Sequence, residues 1–261
     1  RLSAPQAVPP VRWQGRCGSC WAFSATATIE SAVANATGVL PELSQQQITS
    51  CTPNPQHCGG GGGCAGATSQ LAYAYAREHG VSSARAAPYV SGLTRGSGAC
   101  GPAERYRPVA GITGFVQLAR NQAAPLMAAV ATEGLVSVSV DAAKWWMYAR
   151  GIFDACDKAS PTPNHAVTLL GYGEEAGVKY WLIQNSWGTA FGESGYIRLR
   201  RYDDEPCGVD RKPQQNTGCD GGPLEVVVCG ECGILADSAY PTGAFLASTG
   251  GNRRLQSGLF V

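Results

Sequence analysis

Residues 14–23 constrain this chain more than any other stretch. They place an amide side chain, two glycines and two thiols directly before a run whose apolar residues recur at helical spacing from Trp21 onward. The predicted helix begins at Cys20 and is expected to end at Gly38. A thiol on the first turn of a helix has a lowered pKa, because the helix dipole and unpaired backbone N–H groups stabilise its anion. The pattern predicts that Cys20 is a nucleophile and that Gln14 donates to an oxyanion.

The two thiols of this stretch allow two other interpretations. Cys17 and Cys20 have the spacing of a thioredoxin-type redox pair, and two structural cysteines would satisfy the same pattern. A redox motif of that type follows a strand, whereas Pro9, Pro10 and Gly15 precede this one. The residues upstream therefore favour a catalytic thiol.

Only three histidines could serve as the base that such a thiol needs. His57 lies in a segment rich in Pro, Gly and Cys, and His79 stands beside Gly80, so both are predicted to be solvated. His165 instead begins an apolar run with the pattern of a strand, followed by a glycine-marked turn. The sequence favours His165 as the base.

Three motifs carry a resemblance to the papain family of cysteine peptidases, the cathepsin-like enzymes. Gln14 followed by residues 17–21 resembles the Cys-Gly-Ser-Cys-Trp signature of that family. Residues 165–173 resemble its His-Ala-Val…Gly-Tyr-Gly segment. Residues 185–196 resemble its Asn-Ser-Trp-Gly segment, with Phe191 in place of the second Trp. The motifs also follow one another in the order of the family, which indicates a peptidase.

The resemblance implies an α+β fold with two lobes and an active site in the cleft between them. We expect a mainly helical lobe over about residues 10–107 and an antiparallel, β-barrel-like lobe over about residues 108–242. Together they form a single papain-like peptidase domain that takes in the whole chain, residues 1–261. Residues 243–261 run beyond the usual end of the family, are rich in Gly and Ser, and are expected to form a flexible tail.

The resemblance also implies a mechanism. Cys20 and His165 form a thiolate–imidazolium pair, Asn185 orients the imidazole, Gln14 helps to hold the oxyanion, and Trp187 covers the hydrogen bond between His165 and Asn185. The reaction passes through a thioester and needs no metal or organic cofactor. We expect an endopeptidase, because nothing resembles the His-containing occluding loop of dipeptidase-type relatives. The alternative from another class is a catalytically silent papain-fold binding or storage protein.

Substrate contacts are likewise implied by position in the family. The backbone at Gly66 and Ala67 is expected to pair with an extended substrate, with Ala67 standing where the family has a second glycine. Asp237 is expected at the floor of the second subsite, where its carboxylate would favour a substrate Arg; an exposed turn aspartate is the other interpretation. The walls of this subsite are expected to be more polar than usual, and comprise Thr68, Ser69, Ser139, Asn164 and Ala166.

Eleven cysteines indicate an oxidising compartment, and the odd count leaves at least one thiol unpaired. The resemblance implies three disulfides, namely Cys17–Cys64, Cys51–Cys100 and Cys156–Cys232. Four cysteines remain, at positions 58, 207, 219 and 229. If they form two bonds, one must join Cys58 to the insertion at residues 207–229. The alternative is a zinc site built from Cys207, Cys219, Cys229 and Cys232, although the spacing of eleven residues between Cys207 and Cys219 is unlike that of zinc sites.

Further helices and strands are predicted from local patterns. Ser44 caps a short helix that ends at Cys51, and another helix runs from Ser69 to His79. A helix is also predicted over residues 121–133. Strands are predicted over residues 112–115, 135–140, 166–171, 179–184 and 195–201. The aromatic segments at residues 145–148 and 151–153 are interpreted as core packing.

Composition excludes several other classes. The net charge of +1 and the absence of a basic run do not indicate nucleic acid, and no stretch reaches the ~20 apolar residues of a membrane helix. The chain does not start with Met and shows no signal peptide, so we expect a mature or truncated form. The sequon at Asn35 fits a lysosomal, vacuolar or extracellular protein. The expected partners of this monomer are peptide or protein substrates, cystatin-like inhibitors and its own propeptide.

Overall fold

A computed structural model describes residues 7–247 of the chain. Most helices precede most strands along the sequence. The helices are α1 (Cys20–Thr37), α2 (Gln45–Cys51), α3 (Ser69–His79), α4 (Ser91–Thr94) and α5 (Ala123–Thr132). The strands are β1 (Ala110–Gly111), β2 (Gly114–Gln117), β3 (Val136–Val140), β4 (Ile152–Phe153), β5 (His165–Glu175), β6 (Val178–Gln184), β7 (Tyr196–Arg200), β8 (Cys207–Asp210), β9 (Val226–Cys229), β10 (Ser238–Thr242) and β11 (Phe245–Leu246).

The ends of the first three helices follow from their local residues. Gly38 ends α1 in the left-handed region, with φ of 76°, and its N–H donates to the carbonyl of Ala34. Ser44 caps α2 by accepting a hydrogen bond from the N–H of Gln47 at 3.0 Å. Gly80 ends α3 with φ of 65°. These three boundaries are confirmed as predicted.

The β-rich lobe is built on a seven-stranded sheet in the order β2-β10-β3-β5-β6-β7-β4. Neighbouring strands are antiparallel except for β4, which lies parallel to β7. The sheet ends in β2 at one edge and β4 at the other, so the described strands form an open sheet rather than a closed barrel. The α+β class is confirmed.

Helix α1 lies at the centre of the molecule. Its inner face buries Trp21, Ile29 and Val33 in one hydrophobic cluster, which also receives Ala166 from β5 and Ala239 from β10. Burial of such side chains contributes roughly 1.5–3 kcal/mol each. The helix that carries the predicted nucleophile is therefore fixed against the sheet that carries the predicted base.

The expectation of core packing at residues 145–148 is wrong for two residues. Trp145 is fully buried, but Trp146 is 77% exposed and Met147 is 53% exposed. A three-residue 3₁₀ turn, Trp145–Met147, is too short to bury more than one side of itself. Only its first ring points into the core.

The end of the described chain also differs from expectation. Phe245–Leu246 forms β11 and pairs with Ala110–Gly111, so residues 245 and 246 belong to a small two-stranded sheet. The expectation of a flexible tail over residues 243–261 is therefore wrong for residues 245 and 246. Residues 248–261 lie outside the described part of the chain.

Five disulfides cross-link the fold. Three are the pairs implied by the resemblance: Cys17–Cys64, Cys51–Cys100 and Cys156–Cys232. The other two are Cys58–Cys219 and Cys207–Cys229. All four cysteines of the zinc alternative are thus used in disulfides, which contradicts it. No helix between residues 7 and 247 has the length and apolarity needed to cross a membrane.

Candidate active site

The N-terminus of α1 positions Cys20 at the surface of the cleft. Cys20 is half-buried and is the one free cysteine of the chain. The turn before it is held by the Cys17–Cys64 disulfide and by a hydrogen bond from the N–H of Gly18 to the carbonyl of Cys64, 3.0 Å long. A Cβ at Gly18 would lie 2.7 Å from that carbonyl oxygen, so this close approach requires glycine.

His165 is the first residue of β5 and only 7% of it is exposed. Its Nε2 lies 2.8 Å from Oδ1 of Asn185, which directly follows β6. The ring of Trp187 lies 4.8 Å from the imidazole, and the edge of Trp145 approaches from 6.0 Å. Asn185 is only 2% exposed, so this hydrogen bond lies away from solvent, where it orients the imidazole more strongly than it would in water.

Cys20 and His165 shift each other's pKa toward an ion pair. Although burial alone would raise it, the pKa of the Cys20 thiol is lowered by the charge of His165 and by hydrogen bonds to the thiolate. Burial alone would lower the pKa of His165, but the charge and hydrogen bond of Cys20 and the hydrogen bond to Asn185 raise it. The pair therefore stabilises a thiolate beside an imidazolium.

Gln14 is held with a defined amide orientation. Its Oε1 accepts a hydrogen bond from the Ser186 hydroxyl at 2.6 Å, and its Nε2 donates to the carbonyl of Cys17 at 2.9 Å. One N–H of the amide remains for another acceptor. The backbone N–H of Ser186 in turn donates to Oδ1 of Asn185 at 2.8 Å. Ser186 thus links the residue that orients the base to the expected oxyanion donor.

Tyr89 supports the same region, and sequence reasoning did not assign it a role. Its hydroxyl donates to the carbonyl of Gln14 at 2.8 Å and lies 2.6 Å from the hydroxyl of Ser19. In the sequence only the Pro88–Tyr89 pair indicates this residue, through a weak resemblance to the Tyr-Pro-Tyr segment of the papain family. Tyr89 connects the loop that carries Gln14 to the start of α1.

A cavity of about 290 Å³ opens between the lobes beside Cys20 and His165. Six of the predicted substrate-contacting residues line it, namely Gly66, Ala67, Thr68, Ser139, Asn164 and Ala166. Three residues of the insertion, Gln215, Asn216 and Thr217, also line it, and sequence reasoning did not foresee them. The remaining lining residues are Gly18, Gly59, Cys64, Ala65 and Pro163.

Two predicted pocket residues lie behind the cavity wall. The hydroxyl of Ser69 donates to the carbonyl of Trp21 at 3.2 Å, and the residue is 5% exposed. Asp237 is 7% exposed; its carboxylate accepts from the Ser139 hydroxyl at 2.8 Å and from Nε2 of Gln70 at 2.5 Å. Burial raises the pKa of Asp237, against the effect of those two hydrogen bonds. One hydrogen bond therefore separates its carboxylate from the cavity.

One group of potential metal ligands occurs in the described chain: Cys156, Glu231 and Cys232. The two sulfurs are joined to each other in a disulfide, so they are not available as thiolate ligands. Glu231 is engaged by the N–H of Cys156 and by Lys158. The group does not fit a metal ion.

Comparison with known proteins identifies the family. The family model described as "Papain family cysteine protease" matches residues 2–217. A cathepsin L-like proteinase of Phaedon cochleariae is 39% identical over 204 residues, covering 78% of this chain and 60% of that protein. Cathepsin L2 of Homo sapiens is 38% identical over 212 residues, covering 77% and 60%. This chain belongs to the papain family.

Solved structures agree with this assignment. The bromelain protease from Ananas comosus, in complex with the E64 inhibitor, aligns with a TM-score of 0.70 and 34% identity, covering 92% of this chain and 100% of that one. A Carica candamarcensis cysteine protease in complex with E-64 aligns with a TM-score of 0.69 and 32% identity, covering 91% and 94%. The chain spans about 60% of the length of the curated relatives it matches.

Proposed function

We propose that this chain is a cysteine peptidase that hydrolyses peptide bonds through Cys20 and His165. One observation carries the proposal. The single unpaired cysteine stands at the N-terminus of α1 and lines the same cavity as His165, whose Nε2 lies 2.8 Å from Oδ1 of Asn185. Family membership supports the same chemistry. The silent binding or storage protein is not favoured, because the nucleophile, base, orienting residue and oxyanion donor are all present.

The reaction follows from these positions. The Cys20 thiolate attacks the scissile carbonyl carbon, and the oxygen that becomes negative is held by the Cys20 N–H and by Nε2 of Gln14. His165 gives its proton to the leaving amine as the C–N bond breaks, which leaves an acyl thioester and a neutral imidazole. A water molecule then attacks the thioester while His165 accepts its proton. The carboxylic acid leaves, and the thiolate and imidazolium are restored.

Substrate binding uses the cavity beside the catalytic pair. The backbone at Gly66 and Ala67 pairs with the substrate chain, and the second subsite is bounded by Thr68, Ser139 and Ala166. Asp237 contributes a negative charge from behind Ser139. The polar lining suits a polar or basic side chain in this subsite more than the usual aliphatic pocket does. The endopeptidase activity that the sequence predicts requires a cleft that stays open beyond the second subsite.

Partners and location are proposed from the same family membership. Synthesis with a propeptide is supported by two relatives: Procathepsin L of Mus musculus, and a ragweed pollen cysteine protease solved in its proform. Cystatin-like proteins are proposed inhibitors, and the chain is proposed to act as a monomer. Five disulfides and an exposed Asn35 on α1 support a lysosomal, vacuolar or extracellular location.

The Cys20→Ala variant tests the proposal. Because the thiolate is the proposed nucleophile, we expect hydrolysis of peptide amides to fall by at least about 10³-fold. The thermal midpoint should stay within about 2 °C of the unmodified protein, since a half-buried thiol is replaced by a smaller group. Turnover by Cys20→Ala at more than a few per cent of the original rate would show that another group is the nucleophile.

A chemical measurement separates the enzyme from the silent protein. An irreversible thiol-directed peptidase inhibitor should add one equivalent of mass, and peptide mapping should place it on Cys20. The ten other cysteines are in disulfides and serve as the internal control. A protein that reacts no faster than a free thiol, and hydrolyses nothing, would be the silent binding protein.

A further inference from the structure

The insertion at residues 207–229, called the arm below, is a closed hairpin rooted in the β-rich lobe. Its two ends, β8 and β9, pair antiparallel, and the Cys207–Cys229 disulfide joins opposite residues of that ladder. Asn121 anchors the strand β9 at the foot of the arm. Its Nδ2 donates to the carbonyl of Val227 at 2.9 Å, and its Oδ1 accepts from the N–H of Cys229 at 3.0 Å. The arm therefore starts from a fixed position.

The tip of the arm is fastened to the helical lobe on the other side of the cleft. Cys219 is disulfide-bonded to Cys58. Beside this bond, the N–H of Gly59 donates to the carbonyl of Gly218 at 2.8 Å. The arm thus forms a covalent bridge from one lobe to the other.

Two contacts flank the bridge. The N–H of Asp220 donates to the carbonyl of Gln56 at 2.8 Å, and the carboxylate of Asp220 lies 2.6 Å from Nδ1 of His57. Both side chains of the ion pair are more than half exposed, so this pair contributes less than about 1 kcal/mol. The disulfide and the backbone hydrogen bonds hold the tip.

The loop at residues 58–62, which contacts the tip of the arm, packs directly on the backbone at Gly66 and Ala67. Gly59 has φ of 71°, and a Cβ there would lie 2.8 Å from the carbonyl carbon of Ala67. The next turn of the loop is closed by a hydrogen bond from the N–H of Gly62 to the carbonyl of Gly66 at 2.7 Å. The bridge is therefore seated against the backbone that we propose pairs with the substrate.

The bridge also forms a wall of the catalytic cavity. Residues 215–217 line the same 290 Å³ cavity as Cys20, His165 and the second-subsite residues Thr68 and Ser139. This volume is at the lower limit of the ~300–1,000 Å³ typical of small-molecule sites. An extended chain advances ~3.3–3.6 Å with each residue, so a cavity of this volume, walled on one side by residues 215–217, holds only a few substrate residues beside Cys20.

The three residues of the arm that line the cavity, Gln215, Asn216 and Thr217, all have polar side chains. Nδ2 of Asn216 donates to the fully buried carboxylate of Asp210 and to the carbonyl of Lys212, which fixes the side chain. Within residues 7–247 no donor is seen at Oδ1 of Asn216 or at the hydroxyl of Thr217. These oxygens suit the free α-ammonium group of a short substrate, which needs acceptors when it leaves water.

We propose that the arm closes the acyl side of the cleft after the second subsite, so that this chain removes one or two residues from a free N-terminus. This inference rests on the proposed peptidase function and names the substrate class: peptides with an unblocked amino end. An arm that crosses the cleft argues against the endopeptidase expected from the sequence, because cleavage within a long chain needs room on both sides of the scissile bond.

A substrate ladder tests the inference on the unaltered protein. Fluorogenic peptide amides are compared with one, two, three and four residues ahead of the scissile bond, each with a free N-terminus. We expect kcat/KM to be highest with two residues and to fall by at least about tenfold with three or four. Equal or rising kcat/KM up to four residues would overturn the proposal.

Releasing the bridge should open the cleft. The Cys58→Ser/Cys219→Ser variant should gain at least about tenfold in kcat/KM for the four-residue substrate and stay within about threefold for the two-residue one. Cys51→Ser/Cys100→Ser is the matched control, since it removes a disulfide of the helical lobe that touches neither the arm nor the cavity. The control should keep the original length preference, and a released arm with unchanged preference would contradict the proposal.

Covalent labelling separates failure of the arm inference from failure of the proposed function. Peptidyl chloromethyl ketones with two and four residues are compared for their rate of addition to Cys20, read by intact mass. Faster addition of the shorter reagent would support the arm as a barrier even if no amide in the ladder were hydrolysed. Equal addition rates would overturn the barrier and leave the peptidase proposal standing.

Discussion

The catalytic centre and the arm meet in one cavity but are held there by different means. Cys20 and His165 are fixed by the N-terminus of α1 and the start of β5, which pack on each other through a buried hydrophobic cluster. The tip of the arm lies on the opposite lobe through one disulfide and two backbone hydrogen bonds. The centre is thus a property of the core, whereas the arm depends on a covalent bond between its tip and the other lobe.

This difference separates two properties of the proposed enzyme. The centre decides whether a bond is broken and at what pH. The arm decides how long a peptide can be ahead of that bond. Changes at the centre should therefore act on all substrates alike, and changes in the arm should alter only the dependence on length.

After the loss of Cys20, substitution of Asn185 should lower the rate of hydrolysis most. Asn185→Ala removes a hydrogen bond that raises the pKa of His165, so the alkaline limb of the pH profile of kcat/KM should move to lower pH. We expect kcat to fall by about tenfold or more, because the imidazole loses its fixed orientation. Both effects should be the same for substrates with one and two residues ahead of the scissile bond.

The Asn185→Asp variant should shift the pKa of His165 in the opposite direction. Asn185→Asp places a carboxylate beside the imidazole and should raise the pKa of His165 further, so the alkaline limb should move to higher pH. Rates in both variants are measured from about pH 4 to pH 10. Limbs that move in the same direction in the two variants would show that Asn185 acts through packing rather than through the His165 proton.

Asp237 offers a smaller effect, on side-chain preference alone. Asp237→Asn removes a charge that lies one hydrogen bond behind the cavity wall. We expect the ratio of kcat/KM for Arg over Leu in the second subsite to fall by about threefold, less than the tenfold or more of a direct ion pair. The length preference and the pH limbs assigned to Cys20 and His165 should stay unchanged.

A much larger fall in the Arg-over-Leu ratio, or no fall at all, would change the role assigned to Asp237. A fall of tenfold or more would show that Gln70 moves away and the substrate Arg reaches Asp237 directly. An unchanged ratio would make Asp237 a structural residue that only satisfies Ser139 and Gln70.

The sequence predicted the fold where local patterns and short motifs decide it. Gly38, Ser44 and Gly80 set helix ends through their own backbone preferences, so those ends could be predicted from single residues. The structure brings Cys20, His165 and Asn185 together as their motifs imply, because each motif lies in or beside a regular element.

Long-range contacts without a local pattern were not predictable in the same way. The hydrogen bond from the N–H of Gly59 to the carbonyl of Gly218 joins two glycine-rich loops. Such loops have no periodic pattern of apolar residues from which a contact could be predicted. Cys58 could be assigned to the insertion only on the condition that all remaining cysteines pair, and the count did not say which cysteine it meets. Trp146 was misplaced because apolar composition does not tell which side of a short 3₁₀ turn faces the core.

The pH dependence of Cys20 alkylation tests whether Cys20 and His165 form a thiolate–imidazolium pair. Cys20 is the one free thiol, so its rate of reaction with iodoacetamide, read by intact mass, reports the thiolate alone. We predict a midpoint well below the ~8.5 of an ordinary cysteine, and a shift toward that value in His165→Ala. A midpoint at or above the ordinary value, unchanged in His165→Ala, would contradict the thiolate–imidazolium pair.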